Sequence, residues 1–422
     1  MKVLKWILRI GVFLILFLPF LVLFLVRFTD LSVKGQGSIC LVCYNEETGD
    51  WTFNGWEEYQ LDGNDGPYVF RNQNSLEVLS VLERNGKYVI NSHIQKADSG
   101  LILQSFPVNP DLKPISFQLQ NRPFLADSIT YHVDSKIMAI SDIEGNFDAF
   151  YGFLKSNGVI DSDYNWTFGD GRLVLNGDFV DRGAEVTQVL WLIYHLETEA
   201  RKAGGAVHFV LGNHEAMNLQ KNVRYWNHKY RALLQHLSDS LNYRDQVGEL
   251  IKPENEIVQW LKSKNVLLKI GKRLFVHAGI SPEILEFDLS LSEINEIAKA
   301  NIDANLYGQE EGDKNALLIM GRQGPLWYRG LKKDYKDYYK KASAETVNAI
   351  CEKYGVDQIV IGHSVVDDIT TDYKGKVLRI DVRHGKKLHS EKTLGVLIEN
   401  GKLTKVNGKG EHFIVGEAKE ES

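Results

Sequence analysis

KIMAISDIEGN (136–146) and RLVLNGDFVDRG (172–183) decide how this chain folds: in each, a short apolar run leads straight into a polar, glycine-containing turn that carries acidic side chains. The same grammar returns at AVHFVLGNHE (206–215), RLFVHAG (273–279) and QIVIGHS (358–364). Apolar runs of this length that do not alternate read as strands buried on both faces. Between them, VTQVLWLIYHLETEARKA (186–203) and ETVNAICEKYG (345–355) read as amphipathic helices. The pattern predicts an α/β fold, and in such folds sites sit in the loops that follow the strands.

Those loops present Asp142, Asp178, Asn213, His277 and His363, each just after an apolar run, in or beside a glycine turn, and each a competent metal donor. Taken singly, a histidine after a strand is usually a satisfied core residue, and an aspartate at such a junction usually caps the next helix. Taken together, five donors converge from distant strands. Phosphate-ester hydrolysis benefits from this kind of convergence, because a nucleophile must approach an anionic phosphorus and paired cations both activate water and offset the charge.

The ordered set SDIEGN, GDFVDRG, GNHE, HAG and GHS resembles the calcineurin-like metallophosphoesterase superfamily, and GDFVDRG with GNHE is most similar to its phosphoprotein phosphatase branch. The resemblance covers about 135–381. It implies a β-sandwich flanked by helices and two divalent metal ions. Asp178 would bridge both ions, Asp142 would hold the first, and Asn213, His277 and His363 would hold the second. A bridging water or hydroxide would attack in line, with His214 protonating the leaving oxygen or orienting the phosphate and Asp181 fixing the His214 ring. Arg182 would grip phosphate oxygens, and Arg329, in GPLWYRG, is a second clamp. One position departs from the family pattern, since Glu144 stands where the first aspartate is ordinarily followed, two residues on, by histidine. As a ligand, Glu144 makes the first site all oxygen and favours manganese, magnesium or iron over zinc; the alternative is a supporting place behind the metal. Manganese is the first expectation, with iron, magnesium and zinc as the others.

Working outward, Ile10 to Val26 is apolar apart from Gly and Pro, and Lys2, Lys5 and Arg9 outweigh Arg27 and Lys34 across it. The reading is an uncleaved transmembrane anchor over 1–30, its N-terminus cytoplasmic and the catalytic domain beyond the membrane, periplasmic in a two-membrane bacterium. Residues 31–132 read as a small β-rich accessory region of short strands and turns, with Trp51, Trp56, Tyr59 and Tyr68 as core fillers. The catalytic domain is expected over 133–400, with helical insertions at about 216–263 and 283–341 and a C-terminal strand and tail over 401–422. LKKDYKDYYKK (331–341) reads as a solvated helix face, and His384 as part of an exposed loop.

The chain has 422 residues, 9 of them proline, 25% charged and 44% hydrophobic residues, and a formal net charge of -6, which suits a folded protein and argues against nucleic acid as partner. Cys40, Cys43 and Cys351 are too few for a disulfide framework, and no second pair supplies the four ligands of a structural zinc. The expected partner is a phosphorylated substrate; the sequence fixes no oligomeric state. The leading function is hydrolysis of phosphomonoesters, phosphoprotein side chains among them. The rivals are a dinucleoside polyphosphate pyrophosphohydrolase, which shares the GDxVDRG element, and a phosphate-binding module whose catalysis weakened with the change at Glu144.

Overall fold

The computed structural model describes residues 61–97, 101–120 and 135–418 except 238–242, with shorter pieces at 33–34, 39–44, 51–56, 123–124 and 127–132 and isolated helical residues between 17 and 24. The chain divides into two compact units, Met1–Gln60 with His228–Glu249, and Leu61–Asn227 with Leu250–Ser422. The smaller holds a three-stranded antiparallel sheet (Val33–Lys34, Ile39–Tyr44, Trp51–Trp56) and the helices His228–Leu237 and, across the boundary, the start of Tyr243–Leu250.

The expected N-terminal membrane helix, and with it the membrane partner and the single-pass topology, is corrected by the structure. Among the described residues no helix is long and apolar enough to cross a membrane. Most of the expected anchor lies outside the described residues.

The larger unit is an α/β fold of two mixed sheets flanked by helices. One sheet runs Ala206–Val210, Arg172–Asn176, Ile137–Ile140, Leu394–Glu399, Lys402–Asn407, His412–Ile414; its first three strands are parallel and the rest antiparallel. The other runs Gly416–Glu417, Thr370–Asp372, Val377–Arg379, Gln358–Ile361, Arg273–Val276, Leu267–Ile270, Thr130–Tyr131, with parallel pairing at its centre. Strand alternation explains why the central strands carry no polar face. In Ile137–Ile140, Ile137 and Ala139 join Val174, Phe275, Val360 and Leu378 in a core shared by the two sheets, while Met138 and Ile140 join Leu173, Leu175 and the helices.

Helix Val186–Lys202 buries Val189, Trp191, Leu192 and Tyr194. Against it lie the hairpin Ile102–Ser105/Ile115–Gln118 and strand Asp65–Asn72, the edge of an antiparallel sheet completed by Ser75–Arg84 and Lys87–Lys96. Phe117 stacks on Trp191 with ring centroids 4.1 Å apart, and Trp191 Nε1 donates to the Pro67 carbonyl at 2.8 Å. The insertions contribute the helices Glu256–Lys262, Leu291–Asn301 and Lys314–Met320. Residues 331–341, expected as a helix face, form turns instead: Asp334 accepts from the Lys341 N–H at 2.7 Å and from Lys340 Nζ at 2.9 Å, and Tyr335 bridges and stacks on Tyr339.

Candidate metal centre and active site

Asp142, Asp178, Asn213, His277 and His363 follow the strands Ile137–Ile140, Arg172–Asn176, Ala206–Val210, Arg273–Val276 and Gln358–Ile361. The backbone that presents them is unusual. Asp142 (φ 54°), Glu144 (52°), Asp178 (61°), Asp181 (72°), Arg182 (57°) and His363 (62°) all adopt the left-handed conformation, which costs an L-residue roughly 1–2 kcal/mol. A mesh of hydrogen bonds holds the first two loops in this state. Asp142 N–H donates to the Gly177 carbonyl, Glu144 N–H to that of Asp178, and Gly183 N–H back to that of Glu144, at 2.9, 3.0 and 2.9 Å. The buried Glu215 carboxylate accepts from the N–H groups of Asp178, Phe179 and Gly212 at 3.0, 2.8 and 2.7 Å. Two glycines are dictated by close approach: a Cβ on Gly177 would come 2.3 Å from His277 Nδ1, and one on Gly212 would come 2.2 Å from Asp178 Oδ1.

Asp178, His277 and His363, all buried, each offer a ligand atom within 4.8 Å of the others and form a candidate metal-binding triad. His277 Nδ1 donates to the Asn176 carbonyl at 2.9 Å, which leaves Nε2 as the free nitrogen beside Asp178 Oδ2 and Asn213 Oδ1, both at 3.1 Å. His363 Nε2 donates to the Trp327 carbonyl at 3.2 Å, leaving Nδ1 free. Asp142 is buried; its Oδ2 accepts the His363 N–H at 3.2 Å, and it lies outside that triad. Glu144 is ion-paired with Arg182. Arg182 also lies over the Tyr225 ring, 5.3 Å from its centroid. Arg329 Nη1 donates to the His363 carbonyl at 2.7 Å, so it is anchored at the triad's edge.

His214 Nδ1 and Asp181 Oδ2 are 2.5 Å apart, and Asn218 Nδ2 donates to the other Asp181 oxygen at 2.8 Å. The pairing orients the ring so that Nε2 faces Asp178 Oδ2, 3.8 Å away. Burial disfavours the charged His214 ring, but Asp178 and Asp181 prevail and raise its pKa.

Charge in the centre is unbalanced in the sense that suits cations. Burial, with Asp381 nearby, raises the Asp142 carboxyl well above its ordinary range, and burial with Asp178 pushes Asp381 up to about 7. Burial likewise opposes charge on His277, yet Asp178 outweighs it and lifts the ring to about 9. His363, buried and facing Arg329, is held well below the usual histidine value. Clustered buried carboxylates beside imidazoles with one free nitrogen fit divalent cations.

Sequence reasoning passed over Glu215, Asp381, Asn218 and Tyr225. Asp381 carried the same signal as the recognised donors, a carboxylate just past an apolar strand, here Val377–Arg379. His384, expected in an exposed loop, is partly buried and donates through Nε2 to the Ser141 carbonyl at 2.7 Å.

Two strand-borne histidines beside an aspartate, behind a histidine–aspartate pair, define a metallophosphoesterase-like site. The calcineurin-like phosphoesterase family model matches residues 135–367, more than half of the chain, and the chain belongs to that family. Within it, the chain is related to the Shewanella-like protein phosphatase branch. It is 28% identical over 231 residues to Shewanella-like protein phosphatase 1 of Plasmodium berghei, covering 55% of this chain and 61% of that protein. Against Shewanella-like protein phosphatase 2 of Arabidopsis thaliana it is 26% identical over 288 residues, 60% of this chain and 72% of the other. Among solved structures, the cold-active protein-tyrosine phosphatase of a psychrophilic Shewanella superposes with a TM-score of 0.70 at 29% identity, covering 83% of this chain and 99% of that one.

Proposed function

We propose that this chain is a metal-dependent phosphatase that hydrolyses phosphomonoesters on protein side chains. The observation that carries the reading is the His214–Asp181 pair, 2.5 Å apart, set behind the Asp178, His277 and His363 triad. A pure phosphate-binding module has no use for a positioned proton donor. When bound, two divalent cations, manganese first, lower the pKa of the attacking water and neutralise the phosphate. Asp178, Asn213, His277 and His363 would hold one cation; Asp178 and Asp142 would hold the other, and Glu144, now paired with Arg182, would be a further donor.

His214, its proton favoured by Asp178 and Asp181, gives that proton to the leaving oxygen, and Asp181 keeps the Nδ1 proton in place so that Nε2 is the one that acts. Arg182 and Arg329 grip the phosphate oxygens, and their planar forks suit a tetrahedral oxyanion. The relatives' names, protein phosphatase and protein-tyrosine phosphatase, support phosphorylated protein side chains, phosphotyrosine among them, over dinucleoside polyphosphates.

A metal-by-substrate screen tests this. Chelator-stripped protein, resupplied with manganese, magnesium, iron or zinc, is given nitrophenyl phosphate, phosphotyrosine and phosphoserine peptides and a dinucleoside polyphosphate. The expected result is manganese-restored turnover of nitrophenyl phosphate and at least one peptide. No turnover with any ion would sink the reading, and a preference for the dinucleotide would replace it.

A further inference from the structure

We propose that Arg322 is a specificity-determining residue that binds a carboxylate carried by the substrate close to the phosphorylated side chain, so that the enzyme prefers acidic phosphopeptides. The inference rests on the phosphatase reading above.

The Arg322 guanidinium lies over two rings, 4.3 Å from the centroid of Tyr338 and 5.2 Å from that of Tyr307. Gly308 approaches it so closely that a Cβ there would come 2.7 Å from Nη2. Its Nε is buried with no hydrogen-bond partner, and no described carboxylate pairs with it. A guanidinium partly withdrawn from water ordinarily has an anion to offset the loss of hydration. Here the rings and Gly308 fix the side chain, which lowers the ordering cost of binding an anion brought from outside.

Its position makes that anion part of the substrate. The Tyr307 ring rests against Trp327 at 4.5 Å, and the Trp327 ring meets His363 edge-on at 6.1 Å. Arg322 therefore stands two aromatic rings from the metal-binding triad. Extended chain advances about 3.3–3.6 Å per residue, so a residue a few positions from the phosphorylated one reaches it. The next segment adds positive charge: Lys336 lies 5.5 and 6.0 Å from the ring centroids of Tyr335 and Tyr338, while Lys340 and Lys341 are already paired with Asp334 and Asp372. The fork geometry of arginine selects a planar carboxylate.

The test compares two phosphopeptides that differ only in acidic or neutral residues flanking the phosphorylated one, with nitrophenyl phosphate alongside, in wild type, Arg322→Gln and Arg322→Lys. Wild type is expected to favour the acidic peptide by about tenfold in kcat/KM, carried by KM, as a charge-assisted hydrogen bond gives. Arg322→Gln brings that ratio close to one, and Arg322→Lys keeps part of it. Equal kcat/KM for the two peptides in wild type overturns the proposal, and so does an Arg322→Gln variant that lowers all three substrates by one common factor. Turnover of nitrophenyl phosphate without any acidic preference leaves the phosphatase reading standing and removes only this inference; no turnover of any ester removes both.

Discussion

Along the outer side of helix Val186–Lys202, relaxed strands and stacked rings close on one another: Trp191 lies against Phe117, Tyr194 meets Trp260, and indole and phenol protons find acceptors on Pro67 and Glu256. At the strand ends the same frame carries left-handed aspartates, a histidine in the same conformation, and carboxylates crowded out of water. The first region releases free energy by burying apolar surface. The second stores part of it, and persists because the Glu215 carboxylate and the interlocked backbone bonds leave the loops no alternative. Stability and chemistry are thus placed in separate parts of one unit, and substitutions should separate them too.

The largest effect is expected at the strand ends. His214→Asn should slow phosphoester hydrolysis by about a thousandfold through loss of the proton donor, with metal content and melting temperature near wild type. A variant that instead melted early with normal turnover would erase the distinction. The converse change, Trp191→Ala, should lower unfolding free energy by about 4 kcal/mol while the folded fraction keeps kcat within about twofold; denaturant titration and a rate per folded molecule measure both. A collapse of kcat at full folding would mean that the helix face tunes the site.

A third test sharpens the comparison by pH. His208 lies between Arg172, whose Nη1 donates to its Nε2 at 2.8 Å, and the Tyr131 ring, and burial followed by the Arg172 charge depresses its pKa to about 3. Between the ordinary histidine value of 6.5 and about 3 the unfolded chain binds a proton that the folded chain does not. Stability from this residue is therefore complete above pH 6.5 and declines as pH falls, by about 1.4 kcal/mol per pH unit. His208→Gln, which keeps an acceptor for Arg172, should flatten the acid side of the stability profile relative to wild type. Identical profiles would show that the ring is charged in the folded protein.

Local pattern carried far because strand burial and turn chemistry are written in adjacent residues. Apolar runs such as IMAI and QIVI are strands, and the polar residues after them line the site. The same reasoning mistook the aromatic, lysine-rich stretch 331–341 for a helix, since Asp334 closing a turn onto Lys341 is a tertiary choice that composition does not encode. It also extended an apolar N-terminal run into a membrane span that no described helix supplies.

Residue type and order along the chain were enough to indicate the α/β frame, the family and the three residues of the candidate triad. Which of the candidate donors face one another was settled only in three dimensions. Asp178 met His277 and His363, Glu144 met Arg182, and Asp381 and Glu215 joined the centre although neither had been singled out. The reason is physical: donor chemistry belongs to a side chain, whereas its direction is set by a backbone torsion. At these loops the torsions are left-handed ones, held in place by contacts from strands far away in the chain.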